Sequence, residues 1–157
     1  MLSGIEPELI STIQDVLEKA TGNDAKEIEP PSEQPAFDAS GRVRLDCQEP
    51  PLAVYASVQS GDSVLRDFAR SMLGVDEGSL NDEAVQSSLR ELLNVIGGKI
   101  KSCCAAAQVD LKLGSPETGA ALPEMPGNPE YQRKKLFGWD GGQVFEVSIS
   151  AVAESGS

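Results

Sequence analysis

The feature that most constrains this fold is a helical repeat of apolar residues that runs from about position 82 to Cys104. At 100° per residue, its large apolar side chains fall into one continuous band about 100° wide. They are Val85, Leu89, Leu92, Leu93, Ile96 and Ile100. A helix in a small domain holds only when such a band is buried, so we predict a long helix packed on a core. Asn81, or the Ser79-x-x-Asp82 pattern, provides its start.

The opposite side of this helix carries a narrow polar stripe. With Ser87 placed at 0°, Glu91 falls at about 40°, Asn94 at about 340° and Gly98 at about 20°. Because the apolar band faces the core, these four positions point outward. An acid and an amide therefore lie one turn apart on an exposed surface.

Length and composition indicate one globular domain over residues 1–157. A chain of 157 residues can bury a core without disulfides or a structural metal. Only 4% of the residues are aromatic, so the core must be built mainly from aliphatic side chains. Part of the apolar surface can then be buried against a second copy, and we expect a possible homodimer.

Charge and cysteine content exclude several classes of function. The net charge of −12 argues against nucleic-acid binding, and the absence of histidine removes the commonest general base and metal ligand. Three cysteines, two of them adjacent at Cys103 and Cys104, do not make a disulfide framework. We find no membrane-spanning run and no leader segment at Met1, so we expect a cytoplasmic protein.

The rest of the chain alternates helices with paired strands. The predicted elements are a helix over 7–22, an acidic, proline-containing loop over 23–35, strands over 43–47 and 52–58, a short helix from Asp62 or Ser63 to Gly74, a strand over 109–113, a loop over 116–129, a hairpin over 133–151 and a flexible tail over 152–157. Hairpins of this kind predict an α+β fold with a largely antiparallel sheet packed on helices.

The stripe sequence Glu91-Leu-Leu-Asn94-Val-Ile-Gly-Gly98 resembles the E-L-x-N-x-I-x-G signature of the CheC/CheX/FliY chemotaxis phosphatases, which dephosphorylate the response regulator CheY. In that family an Asp or Ser stands one turn before the Glu, where this chain has Ser87. A proline follows the next strand of the family pattern, and Pro116 occupies that place. The first helix also resembles that of CheX-like proteins. CheC-like members carry a second Glu/Asn pair there, whereas Glu18 has no Asn three residues later, which points to the CheX-type arrangement.

The resemblance implies a role for each of these residues. Asn94 would hold a water in line with the phosphorus, because an amide has no useful pKa but can both donate and accept hydrogen bonds. Glu91 would pair with the receiver's active-site lysine. Ser87, Gly98 and Pro116 would contact the partner. The receiver itself would supply the Mg²⁺, so no cofactor or metal of this chain's own is expected.

Alternative interpretations remain open at this point. A polar stripe on a helix is usually only a solvated face, and Pro116 can simply end a strand. A non-enzymatic module related to flagellar switch proteins such as FliM could bind a receiver without hydrolysis, and composition leaves a structural dimerisation domain possible. A thiol phosphatase is disfavoured, because its C-x5-R loop would need arginine where Val109 and Asp110 stand.

Overall fold

The computed structural model describes residues 2–21, 26–28, 39–48, 51–76, 78, 80–119, 131–139 and 143–153. They form three helices and seven strands. The helices are α1 (Leu2–Thr21), α2 (Asp62–Leu73) and α3 (Asp82–Ala106). The strands are β1 (Lys26–Ile28), β2 (Ala39–Cys47), β3 (Leu52–Ser60), β4 (Lys112–Leu113), β5 (Glu117–Gly119), β6 (Tyr131–Trp139) and β7 (Gln143–Ala153).

All seven strands belong to one sheet in which every pairing is antiparallel. The order is β1–β6–β7–β3–β2–β4, and β5 pairs with the same edge of β2 as β4. The four long strands are joined in two hairpins, β2–β3 and β6–β7, which meet where β3 pairs with β7 along nine residues. The predicted α+β fold with a largely antiparallel sheet is confirmed.

The described helices pack on one face of this sheet. Alternate strand residues point to that face and join the helices in a single core, for example Val43, Val54, Ile149 and Phe145. Phe68 of α2 meets Phe145 edge to face, with ring centroids 5.7 Å apart. None of the described helices is long and apolar enough to span a bilayer.

Several predicted boundaries are corrected by the structure. Helix α1 begins at Leu2, so Pro7 lies inside it and not at its first position. A proline this close to a helix start removes only one backbone hydrogen bond, which the packed apolar side of α1 outweighs. Strand β7 continues to Ala153, so the predicted tail over 152–157 is partly strand.

Two short strands lie in segments that we predicted to be loops. Strand β1 falls inside 23–35, where it pairs with β6, and β5 falls inside 116–129, where it pairs with β2. Both are three residues long and lie at the edges of the sheet. Apart from Pro116, the remaining residues of these two predicted loops lie outside the described residues, as does the turn of the predicted 133–151 hairpin.

Candidate functional site

The site is built on α3, the longest of the three described helices at 25 residues. Asn81 begins it as the N-cap, because its Oδ1 atom accepts a hydrogen bond of 2.7 Å from the backbone N–H of Ala84. Asp82 and Glu83 follow in the first turn, where negative charge favours the positive end of the helix dipole. Of the two predicted starts of α3, Asn81 is the one that caps the helix. Helix α2 is preceded by Gly61 and has no side-chain cap.

The apolar band of α3 is buried as predicted. All six of its side chains are at most 2% exposed, and α3 contacts α1, α2 and strands β2 to β5. Helix α3 approaches the sheet closely because there is a glycine on each side of the contact. A Cβ atom at Gly97 of α3 would lie 2.6 Å from Leu113 Cδ1, and one at Gly41 of β2 would lie 2.5 Å from Leu93 Cδ1. This contact fixes the rotation of α3 about its axis and therefore the direction of its polar stripe.

The structure brings four of the five predicted site residues together on the outward side of α3. Ser87, Glu91 and Asn94 are exposed, and Gly98 is half-buried. A Cβ atom at Gly98 would meet nothing within 4 Å, so the helix backbone is open to a close approach there. We call these four residues the α3 stripe.

The two central side chains of the α3 stripe have no partner in the described part of the chain. Neither the Glu91 carboxylate nor the Asn94 amide makes a hydrogen bond or ion pair with a described residue. Ser87 differs, because its Oγ accepts a hydrogen bond of 3.0 Å from Arg90. At Gly98 the backbone carbonyl accepts a hydrogen bond of 3.0 Å from Ser102 Oγ. The acid and the amide are therefore available to another molecule.

Pro116, the fifth predicted site residue, lies beside the helix and not on it. It is half-buried and directly precedes β5, and both β4 and β5 contact α3. The turn before it is held by the Gly114 N–H, which donates a hydrogen bond of 2.8 Å to the Arg44 carbonyl. Its position fits both a strand terminator and the border of a docking surface.

Two further residues of the α3 stripe region were missed by the sequence analysis. Arg90 falls at about 300° and Lys101 at about 320° on the same helical projection, so both lie on the outward side next to Asn94. Arg90 donates to Ser87 and also forms an ion pair of 2.8 Å with Glu83. Their positions on the helical wheel are a sufficient signal for this placement.

The cysteines do not form a reactive site. Cys47, Cys103 and Cys104 are all buried, and none of them forms a disulfide bond. Burial raises the pKa of the Cys104 thiol to about 11, with the neighbouring Cys103 and Cys47 adding to the effect. Burial likewise raises the pKa of Cys103. Among the described residues, no group of three or more cysteine or acidic side chains is arranged to hold a metal ion.

The exposed acid and amide can perform two distinct tasks. A carboxylate can accept hydrogen bonds from, or pair with, a cation on another protein. An amide presents one acceptor oxygen and two donor hydrogens, so it can hold a water molecule in a chosen direction without changing its own charge. The amide is not a nucleophile, and along the described helix no histidine or lysine stands one turn from Ser87 to activate its hydroxyl.

Comparisons with known proteins agree with this fold. No protein-family model and no curated protein matches the chain. Among solved structures, a CheC-like chemotactic protein from Shewanella oneidensis MR-1 is 15% identical with a TM-score of 0.75, covering 97% of this chain and 100% of that one. The chemotaxis protein CheX from Vibrio vulnificus is 18% identical with a TM-score of 0.73, covering 92% and 93%.

A third structure includes a partner. It is the CheX–CheY–BeF3–Mg²⁺ complex from Borrelia burgdorferi, 16% identical with a TM-score of 0.71, covering 94% of this chain and 96% of that one. The FliM middle domain from Vibrio alginolyticus is less similar, at 13% identity and a TM-score of 0.57. The chain therefore has the CheC/CheX-like fold, and the resemblance drawn from the stripe sequence is confirmed at the level of fold.

Proposed function

We propose that this chain hydrolyses the aspartyl phosphate of a CheY-like receiver domain in bacterial chemotaxis signalling. Asn94 orients the attacking water, and Glu91 docks the receiver. The observation that carries this proposal is that the Glu91 and Asn94 side chains lie exposed on one helix face and have no partner in the described part of the chain.

The reaction needs little from this chain because an aspartyl phosphate is an activated acyl phosphate. The oxygen of the water attacks phosphorus, the bond from phosphorus to the aspartate oxygen breaks, and a proton of the water leaves with the phosphate product or to solvent. The receiver supplies Mg²⁺ and a lysine to the transferring charge. The missing component is a water held in line with that bond.

Asn94 is suited to hold this water. Its oxygen accepts from the water and its NH₂ group donates to a phosphoryl oxygen, so one amide fixes the approach. Glutamine positions water in a comparable way in small GTPases. Because α3 is packed through its apolar band, the backbone that carries this amide is held in place.

Glu91 is suited to docking. It lies one turn from Asn94 on the same stripe, and a lysine of the receiver would complete a charge-assisted hydrogen bond with its carboxylate. Gly98 leaves room for the receiver to approach the helix backbone. The partner assignment is supported by the CheX with this fold that was crystallised with CheY.

The test uses phosphorylated CheY-type receivers and two single variants. Asn94→Ala should lower turnover by about 100-fold, the size of effect seen when one preorganised hydrogen-bonding group is removed, while receiver affinity changes little. Glu91→Ala should weaken receiver binding first, by about 10-fold or more. Turnover is followed by phosphate release, and affinity by titration against receivers loaded with beryllofluoride and Mg²⁺.

Lys99→Ala is the matched control, because Lys99 is exposed on α3 but lies about 140° round the helix from Asn94. It should keep both rate and affinity. Unchanged turnover in both Asn94→Ala and Glu91→Ala would refute the mechanism. Tight receiver binding by the wild-type chain without any phosphate release would instead select a non-enzymatic binding module, the role that the fold likeness to FliM also allows.

A further inference from the structure

Two cations flank Asn94 on the outward side of α3. The whole chain carries a net charge of −12 and only 13 lysines and arginines. Arg90 lies one turn before Asn94 and Lys101 two turns after it, on the same outward side of α3. Along the helix axis they are about 6 Å and about 10 Å from Asn94. A strongly acidic protein thus places one cation on each side of its candidate catalytic amide.

We propose that Arg90 and Lys101 are specificity-determining residues that select receivers with carboxylates on the rim of the phosphorylated cleft. This inference rests on the proposed function, since it names the partner surface that the same site accepts. The two cations offset locally the repulsion that the acidic chain would exert on an acidic partner. The two cations would repel a receiver with a basic rim and would not attract one with a neutral rim.

Arg90 is available for such a contact at little cost. Its side chain is 37% exposed, and its partner Glu83 is 78% exposed. An ion pair this open to solvent contributes little stability, so Arg90 can exchange Glu83 for a carboxylate of another protein. Its planar guanidinium can bind a carboxylate through two parallel hydrogen bonds, which gives directional selectivity as well as attraction.

Arg90 is also connected to the α3 stripe. Its guanidinium donates to Ser87 Oγ over 3.0 Å, so its present position ties it to the first residue of the stripe. A receiver carboxylate that takes up Arg90 would therefore lie next to the Ser87 end of the docking surface. Arg90 would contact the receiver at the Ser87 end of the surface, and Glu91 would contact the side of the receiver cleft that carries its lysine.

Lys101 marks the other end of the surface. It is exposed, and its side chain makes no hydrogen bond or ion pair within the described residues. Because Lys101 is exposed to solvent, salt screens its charge over about 8 to 10 Å at moderate ionic strength. Its attraction for a rim carboxylate should therefore weaken as the salt concentration rises.

The experiment reverses both charges and leaves the acid and the amide intact. The variant is Arg90→Glu with Lys101→Glu, and the control is Lys99→Glu, which makes the same kind of charge change about 180° round the helix from Arg90. The probe is a panel of CheY-type receivers loaded with Mg²⁺ and beryllofluoride. Affinity is measured at about 25 mM and about 500 mM salt, where screening is weak and strong respectively. Circular dichroism checks that α3 is retained.

We expect the double reversal to weaken binding of acidic-rimmed receivers by about 10-fold or more at low salt, and by less than about twofold at high salt. The rate of phosphate release from a saturated complex should stay within about twofold of wild type, because the water-holding amide is unchanged. Lys99→Glu should bind like wild type. Replacing the receiver's rim carboxylates with lysine should restore binding to the double variant.

Each outcome separates this inference from the proposed function. Equal affinity of the double variant and Lys99→Glu at low salt would overturn the inference while leaving hydrolysis intact. Receiver binding that depends on Arg90 and Lys101 without phosphate release would support the inference and refute the phosphatase proposal. A wild-type chain that binds none of the receivers would overturn both.

Discussion

Asn94 is an exposed asparagine inside a helix, a position that this residue type does not favour. Asparagine in a helix interior costs about 0.5 kcal/mol relative to alanine, and here it has no described hydrogen-bond partner to offset that cost. The neighbouring residues Leu92 and Leu93 are fully buried, so the helix cannot rotate to hide the amide. A mildly unfavourable residue held in the open fits a contact made with another molecule.

Replacing Asn94 by aspartate distinguishes an amide that orients water from a group that takes up its proton. Aspartate has the same shape, but it lacks the NH₂ donor and adds a negative charge beside the phosphoryl group. We expect Asn94→Asp to release phosphate at least as slowly as Asn94→Ala, about 100-fold below wild type. Phosphate release from a phosphorylated receiver measures this at several pH values.

The contrary result would be informative in its own right. An Asn94→Asp variant that keeps most of its rate, with a rate that rises as the carboxylate ionises, would indicate general-base catalysis at position 94. Asn94→Gln is the companion variant. It retains the amide but moves it by one methylene, so it should recover part of the rate only if the receiver cleft tolerates the longer side chain.

Helix α3 connects the core to the α3 stripe through two adjacent glycines with opposite surroundings. Gly97 faces inward, where a Cβ atom would lie 2.6 Å from Leu113 Cδ1 and 3.4 Å from Val43 Cγ1. Gly98 faces outward, where a Cβ atom would meet nothing within 4 Å. One glycine therefore lets the helix approach the sheet, and the other leaves the helix backbone accessible.

The same substitution at both positions tests this division. Gly97→Val should lower the free energy of unfolding by about 1 to 3 kcal/mol, because the added methyl groups overpack the contact with β2 and β4. Gly98→Val should be neutral or slightly stabilising, by up to about 0.5 kcal/mol, since valine has a better helix propensity than glycine. Urea unfolding monitored by circular dichroism gives both values.

Receiver binding supplies the second readout for this pair. Under the proposed function, Gly98→Val should weaken receiver affinity although it does not weaken the fold, because its side chain stands on the docking surface. Equal losses of stability at positions 97 and 98 would contradict the orientation of α3 described above.

The long elements could be predicted from the sequence because their periodicity is local. The band of α3 and the alternation of β2, β3 and β7 repeat over many residues, so burial and outward direction follow from the spacing alone. The outward position of Glu91 and Asn94 was predicted in this way. The end of α2 was predicted as well, from the glycine at position 74. In the structure Gly74 adopts φ 66°, the left-handed conformation that ends many helices.

The short edge strands and the contacts between distant residues could not be predicted in the same manner. Strands β1 and β5 are three residues long, and it is their pairing with β6 and β2 that makes them strands. Sequence spacing likewise does not show that Cys47 helps to raise the pKa of Cys104, since Cys47 ends β2 and Cys104 lies near the end of α3. The ion pair of Arg90 with Glu83 depends on side-chain conformations that a motif does not specify.

At the scale of the whole molecule, the titratable groups set how stability depends on pH. The chain has no histidine, so no side-chain type in it ordinarily changes charge between pH 6 and pH 8. Its three thiols are buried, and burial raises the pKa of Cys104 from an ordinary 9.0 to about 11. The folded state therefore holds this proton more tightly than the unfolded state does.

We expect stability to be nearly flat between pH 6 and pH 8 and to fall between about pH 9 and about pH 11. In that upper range the unfolded chain releases the Cys104 proton while the folded chain retains it, so the free energy of unfolding decreases as pH rises. The loss caused by Cys104 reaches about 2 kcal/mol by pH 11 and is absent well below pH 9. Urea unfolding at a series of pH values measures the profile.

Cys104→Ala isolates this contribution from lysine and tyrosine, which titrate in the same range. The variant loses a buried side chain and should be less stable than wild type at pH 8. Because it has no thiol to ionise at position 104, its profile should fall less steeply, and the difference between the two proteins should shrink by about 2 kcal/mol as the pH approaches 11. A difference that stays constant from pH 8 to pH 11 would show that the Cys104 thiol titrates alike in both states and is not shielded by the packing of α3 against β2.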